Sequence, residues 1–282
     1  MPTLPYHVVD VFTDRAYAGN PLAVVLDADD LTSGQMQAVA REFNLSETAF
    51  PLPSEQADYR VRIFTPNQEL PFAGHPSIGT AWLLARLGRI RTGAVLQECG
   101  AGILPVEVGA DDATLTGGTP GIGASLDPAP LLEAVGLQPG DATETPARTA
   151  GTGLPWTYLP VIGGAIERVV PDWGRLAAAV SSMGLAVVAW DADSRAAHLR
   201  ALTDEGWEDP ATGSAALGLG VFLAESGLVP ADGTTAFRVR QGAEIGRPST
   251  LDGTVTAEAG HARAATVRGG VATVAVGELT RP

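Results

Sequence analysis

Two stretches, GHPSIGTAWLLARLG (74–88) and GSAALGLGVFLAESG (213–227), agree at the positions that matter to a helix. Both carry Gly at offsets 0, 5 and 14, with a bulky apolar residue, Leu and Ala at offsets 9 to 11. Each follows a β-like run ending near Thr65 or Thr203 and an acidic linker of about nine residues. Each leads into β-rich sequence holding a Gly-Ala pair, Gly100-Ala101 or Gly242-Ala243. Shared composition alone would mean little, because Gly and Ala are common here. Matched offsets in matched strand–loop–helix surroundings predict an internal duplication.

The remaining pattern agrees with two α+β halves. Runs such as YHVVDVF, PLAVVLD, DYRVRIF, WTYLPVI, LAVVAWD and AFRVRQ read as strands. Helical periodicity is confined to a few segments, among them TSGQMQAVAREFN, DWGRLAAAVSSMG and the short APLLEAVG. Strands outnumber helices and Gly/Pro/Asp turns are frequent, so the fold class is α+β with two similar pseudo-symmetric domains. The Pro/Gly/Thr-rich stretch from Gly117 to about Gly153 marks the join. The domains are placed at 1–125 and 126–282, with the final strand, 271–279, free to return to the first.

Composition narrows the function. The 282 residues carry a formal charge of −14 and no long basic run, which argues against a nucleic-acid partner. Cys99 is the only cysteine, so neither an intramolecular disulfide nor a thiolate metal site is expected. The four His and 32 acidic residues form no compact ligand spacing, and no metal is expected. The opening MPTLPYHVVDVF lacks the regions of a signal peptide, and the longest apolar run is far short of a membrane span. The expectation is a cytoplasmic protein with no membrane contact.

In each matched segment a glycine stands where a loop enters a helix. Pro76 falls in the first turn of one, and Thr212, Gly213 and Ser214 offer a cap and backbone N–H groups in the other. Helix N-termini hold orphan N–H donors and partial positive charge, so each is suited to a carboxylate or phosphate. Two such ends facing one another would make an anion-binding cleft between the halves. His75 follows the first glycine directly, and Asp209 precedes the second by four residues.

A third group comes from FNLSETAFPLP (43–53), which sets Glu47 beside Phe50 and Leu52. Desolvation by such neighbours would suit a carboxyl to acid–base work near neutral pH. His75 would then donate to or orient a substrate, and Asp209 would accept from its ammonium or hydroxyl. Glu42 lies on an amphipathic helix, where an exposed carboxylate is expected. Glu69 and Glu208 stand five residues before each helix glycine, and spacing alone does not rank them below Glu47. His7, His198 and His261 read as structural or surface residues. No nucleophile elbow, P-loop, H-E-x-x-H or dinucleotide fingerprint is present.

Four segments in order, VDVFTDRAYAGNPLAVVLDA (9–28), FNLSETAF (43–50), RIFTPNQELPFAGHPSIGTAWLL (62–84) and EDPATGSAALGLGVFL (208–223), resemble the PhzF-like isomerases of phenazine biosynthesis, on the diaminopimelate-epimerase fold. The resemblance implies two halves, each a β-barrel-like sheet around a central helix, a homodimer, and no cofactor. It implies Glu47 as proton shuttle with His75 and Asp209 as the other catalytic groups. Ser46, Gly74, Gly213 and Ser214 would hold the carboxylate of a small-molecule carboxylic acid substrate, with Asn20 in the cleft. The reaction it implies resembles isomerisation of trans-2,3-dihydro-3-hydroxyanthranilate, a proton leaving C3 and returning at C1. The substrate of this chain is expected more broadly, as a small amino or hydroxy carboxylic acid. Related epimerases place a cysteine at each helix N-terminus, where this chain has Ala73 and Thr212. With one cysteine in the chain, a two-thiol mechanism is excluded. The alternative is a non-catalytic small-carboxylate binder that kept the cleft.

Overall fold

The computed structural model describes residues 2–282, which fall into two compact units, one running to Thr116 and including Arg268–Pro282, the other Gly117–Val267. The first unit contains β1 (Thr3–Val11), β2 (Asn20–Val25), α1 (Ser33–Phe43), β3 (Glu47–Leu52), β4 (Tyr59–Phe64), β5 (Glu69–Leu70), α2 (Gly74–Arg86), β6 (Gly93–Cys99), β7 (Gly102–Val108) and β8 (Asp112–Thr116). The second contains β9 (Gly121–Leu126), α3 (Pro128–Ala134), β10 (Ala147–Gly151), β11 (Trp156–Pro160), α4 (Trp173–Ala179), β12 (Gly184–Asp191), β13 (Ala196–Thr203), β14 (Glu208–Asp209), α5 (Gly213–Glu225), β15 (Gly233–Gln241) and β16 (Ser249–Glu258). The last strand, β17 (His261–Thr280), is divided between them at Arg268. The Gly117–Gly153 stretch thus forms β9, α3 and β10. Helix α4 stops at Ala179, where the chain turns extended at Val180, short of the SSMG tail included in the sequence reading.

Pairing in the first unit closes on itself. β1 joins β2 antiparallel, β2 joins β3 parallel, β3 joins β4 antiparallel, and β4 joins β6 parallel. β6–β7 and β7–β8 are antiparallel hairpin pairs, and β17 joins both β8 and β1. The circuit is an eight-strand barrel. In the second unit β10–β11, β11–β12, β12–β13, β13–β15 and β15–β16 repeat the order antiparallel, parallel, antiparallel, parallel, antiparallel. β9 flanks β10 as β17 flanks β1. The duplication read from the helices therefore extends to the order and direction of these strand pairings.

A helix enclosed by a barrel is buried all round, and α2 and α5 are, with Ser77 of α2 satisfied by Gln97 Nε2 at 2.9 Å. Every residue of α2 from Gly74 to Leu84 is buried, as is every residue of α5 from Ala215 to Ala224. The offset-5 glycines permit the close approach. A Cβ on Gly79 would lie 2.8 Å from Leu22 and Val11 side-chain carbons, and one on Gly218 would lie 2.9 Å from the Ala150 carbonyl oxygen. The offset-14 glycines end both helices alike, Gly88 at φ 69° and Gly227 at φ 68°. Arg89 N–H then donates to Leu84 O at 2.8 Å and Leu228 N–H to Leu223 O at 2.9 Å, closing a Schellman turn in each half.

Candidate active site

The chain enters β3 through a turn that a single residue makes possible. Asn44 ends α1 in the left-handed region (φ 51°), which asparagine tolerates better than most side chains. Leu45 and half-buried Ser46 follow, and Glu47 opens β3 level with Leu22 of the parallel β2. Asn20, fully buried, opens β2 two residues earlier. The tops of two adjacent strands thus carry Asn20 and Glu47 in one unit.

His75, the second residue of α2, reaches the same place. Its Nε2 lies 3.5 Å from Glu47 Oε2, with the His75 side chain 5% and the Glu47 side chain 15% exposed. Burial holds the imidazole pKa down at about 3, against a smaller opposing effect of a hydrogen bond with the Pro21 backbone. Proline offers only a carbonyl, so the ring nitrogen it meets must carry the proton. The other nitrogen, buried Nε2, then presents a lone pair toward Glu47. The helix N-terminus also disfavours an imidazolium there. Glu47 and neutral His75 can therefore hold one proton between them. Gly74, one residue before, and His75 contribute the free amides of the first turn, since Pro76 has none.

In the second unit the expected residues cluster at the head of α5. Asp209, buried on β14, receives the Thr212 hydroxyl on Oδ2. Gly213 and Ser214 begin the helix, and Ser214 Oγ accepts the indole N–H of Trp156 at 3.0 Å. Gln241, at the end of β15, spans the same turn with hydrogen bonds to Asp209 and Thr212. Sequence reading did not single out Gln241 or Trp156. The one signal for Gln241 was its place just before the Gly242-Ala243 pair.

The other carboxylates take different positions. Glu42 is exposed on α1. Glu69 is held by Arg62, and Glu208 by Arg200. His198 and His261 pair with Glu244 and Glu225, while His7 is set in β1. Among the described residues no group of three or more His, Cys, Asp or Glu side chains is placed to hold a metal ion. No helix among them is long and apolar enough to cross a membrane.

Comparison with known proteins gives these positions a context. The family model described as phenazine biosynthesis-like protein matches residues 9–277. An uncharacterized isomerase of Mesorhizobium japonicum is 36% identical, over 99% of each chain. The trans-2,3-dihydro-3-hydroxyanthranilate isomerase of Pseudomonas chlororaphis is 35% identical, over 87% of this chain and 88% of that one. A crystal structure of a PhzF-family phenazine biosynthesis protein from Bacillus anthracis superposes with a TM-score of 0.90 at 27% identity, over 99% and 100% of the two chains.

Proposed function

The chain belongs to the PhzC/PhzF family of phenazine biosynthesis-like proteins and is an isomerase; on that premise we propose that it moves a proton within a small amino or hydroxy carboxylic acid, with the Glu47 carboxyl as carrier. The observation that carries this reading is the Glu47–His75 pair, a carboxylate 3.5 Å from the lone-pair nitrogen of a buried, neutral imidazole. Glu47 takes a proton from one carbon as the C–H electron pair shifts into the adjoining π system. It returns the proton to a second carbon, so nothing is gained or lost and no cofactor is called for. With side chains only 5% and 15% exposed, His75 and Glu47 are largely shielded from bulk water, which favours a carried proton.

Each remaining residue has a role in this reading. His75 accepts the Glu47 proton in a hydrogen bond and keeps the carboxyl oriented. Asp209 accepts from the substrate's hydroxyl or ammonium group. The amides of Gly74, Gly213 and Ser214, with Ser46, bind the substrate carboxylate, and Asn20 orients it. The substrate type follows the relatives named for trans-2,3-dihydro-3-hydroxyanthranilate, a cyclic acid with both groups.

The test follows turnover and isotope together. The protein is incubated in D₂O with that dihydroanthranilate and a panel of small unsaturated amino and hydroxy acids, and product and deuterium are read by NMR and mass spectrometry. Wild type is expected to isomerise one of them, with less than one deuterium per turnover wherever the carried proton is retained. Glu47→Gln should lower turnover by about 10²–10⁴-fold. Turnover that survives the substitution would overturn the carrier role. Saturable binding with no turnover across the panel would leave a carboxylate-binding protein.

A further inference from the structure

We infer that Gln241 is a positioning residue, a clamp that fixes the Asp209 carboxylate at the head of α5. The inference rests on the role proposed above for Asp209.

All three hydrogen-bonding groups of the Gln241 amide are engaged. Its Nε2 donates to Asp209 O at 2.7 Å and to Thr212 Oγ1 at 2.9 Å, and its Oε1 accepts from Thr212 N–H at 3.1 Å. The amide can sit only this way round. Flipped, it would set an oxygen against the Asp209 carbonyl and a nitrogen against the Thr212 N–H. Because Nε2 donates into the Thr212 hydroxyl, that hydroxyl must send its only proton elsewhere. It goes to Asp209 Oδ2.

Two observations separate this clamp from ordinary scaffolding. Threonine before a helix normally caps it with its side chain, yet the Thr212 side chain makes no cap hydrogen bond to α5 and serves Asp209 instead. The duplicated half supplies a control. Register places Leu70 where Asp209 stands, and Cys99 where Gln241 stands. Counting back from the two helix glycines places Ala73 where Thr212 stands. Gly100 and Gly242, the next residues, each pack on the preceding proline, Pro71 or Pro210, confirming the equivalence. The same strand–linker–helix corner is therefore built in the first half without any of the three polar side chains. The corner does not need them.

The test uses four variants of the full chain. Thr212→Val keeps the shape and removes the hydroxyl, and Thr212→Ser keeps the hydroxyl. Gln241→Glu replaces the donating nitrogen with an oxygen, which repels the Asp209 carbonyl and draws the Thr212 proton away from Asp209. The fourth is the double variant Gln241→Glu/Thr212→Val. Crystal structures of Gln241→Glu and Thr212→Val should show the Asp209 carboxylate rotated away from its wild-type place, and Thr212→Ser should leave it there. In turnover, Thr212→Val and Gln241→Glu should each lower kcat by about 10²-fold, the usual cost of a misplaced catalytic group. KM should move less than kcat, the double variant should be no worse than either single one, and Thr212→Ser should behave as wild type. An unmoved Asp209 in both crystal structures would overturn the clamp, as would wild-type turnover in Thr212→Val. If wild type turns over no acid, the proposed function fails, while the crystal structures still decide whether Gln241 positions Asp209.

Discussion

Arg200 grips Glu208 at two points, Nε 2.9 Å from one carboxylate oxygen and a terminal nitrogen 2.7 Å from the other. The Arg200 and Glu208 side chains are only 8% and 7% exposed, and Arg200 gives another N–H to the Val169 carbonyl at 2.8 Å. Arg62 makes the same two-point contact with Glu69, at 2.7 and 2.6 Å, but there the glutamate is 41% exposed. Each pair ties a barrel strand to the linker that delivers a central helix. Geometry thus commits Glu69 and Glu208 to the linkers, the distinction that spacing in the sequence left open.

The two pairs should differ sharply in worth. Removing one partner of a buried ion pair leaves the other charge uncompensated, at about 3–5 kcal/mol, whereas an exposed pair contributes about 0–1 kcal/mol. Glu208→Gln is expected to destabilise the protein strongly in urea denaturation, and Glu69→Gln hardly at all. Glu69→Gln should keep wild-type turnover. A large stability loss in both variants, or in neither, would show that burial does not govern these pairs.

Much of the fold was legible because glycine geometry leaves marks at fixed offsets. Gly79, Gly88, Gly218 and Gly227 each answer a local demand, a close approach or a left-handed turn, and the demand recurs at the same place in both halves. Gly74, His75, Asp209, Gly213 and Ser214 drew notice for a similar reason, since they stand at or just before the two helix starts. Spacing did not rank Glu47 above Glu69 and Glu208, and Ser46 and Asn20 rested on the family resemblance. Gln241 was not legible, because nothing near it in sequence announces a partner. Its contacts with Asp209 and Thr212 cross about thirty positions of chain. Trp156 lies further still from Ser214, 58 positions away.

The offset-5 glycines should not tolerate alanine equally. Alanine improves helix propensity by about 1 kcal/mol, and overpacking a core costs about 1–3 kcal/mol. The neighbours of Gly79 are methyl ends of Leu22 and Val11, which can give way, while Gly218 faces the Ala150 carbonyl and the Tyr158 hydroxyl. That hydroxyl is itself fixed by a 2.6 Å hydrogen bond to Ala215 O. Gly218→Ala is expected to lose about 2 kcal/mol in urea denaturation, and Gly79→Ala to stay within about 1 kcal/mol of wild type. The reverse ranking would mean that α5 has room to shift.

Ser214 presents a different asymmetry. Its hydroxyl accepts the N–H of Trp156, a side chain 3% exposed, so Ser214→Ala strands a donor in the interior. A stranded donor costs about 1–3 kcal/mol, whereas removing both partners is cheaper. Ser214→Ala should therefore destabilise wild type by about 1–2 kcal/mol and the Trp156→Phe background by clearly less. Equal losses in the two backgrounds would show that the hydrogen bond contributes nothing.

His75 should make stability fall in mild acid. Its folded pKa, about 3, lies well below the ordinary 6.5 because burial disfavours the imidazolium. Between those values the unfolded chain binds a proton that the folded chain refuses. Stability from this residue is therefore intact above pH 6.5 and declines as pH drops toward 3, by up to about 1.4 kcal/mol per pH unit. His7, lowered by its own burial and then by Arg89, acts in the same direction, so the contribution of His75 is read as a difference. Urea denaturation from pH 7.5 to 4.5 should show a shallower decline for His75→Gln than for wild type. NMR of the His75 ring should show no titration across that range. A midpoint near 6 would mean that the ring is cationic beside Glu47 in mild acid, and the pair could not then hold a single shared proton.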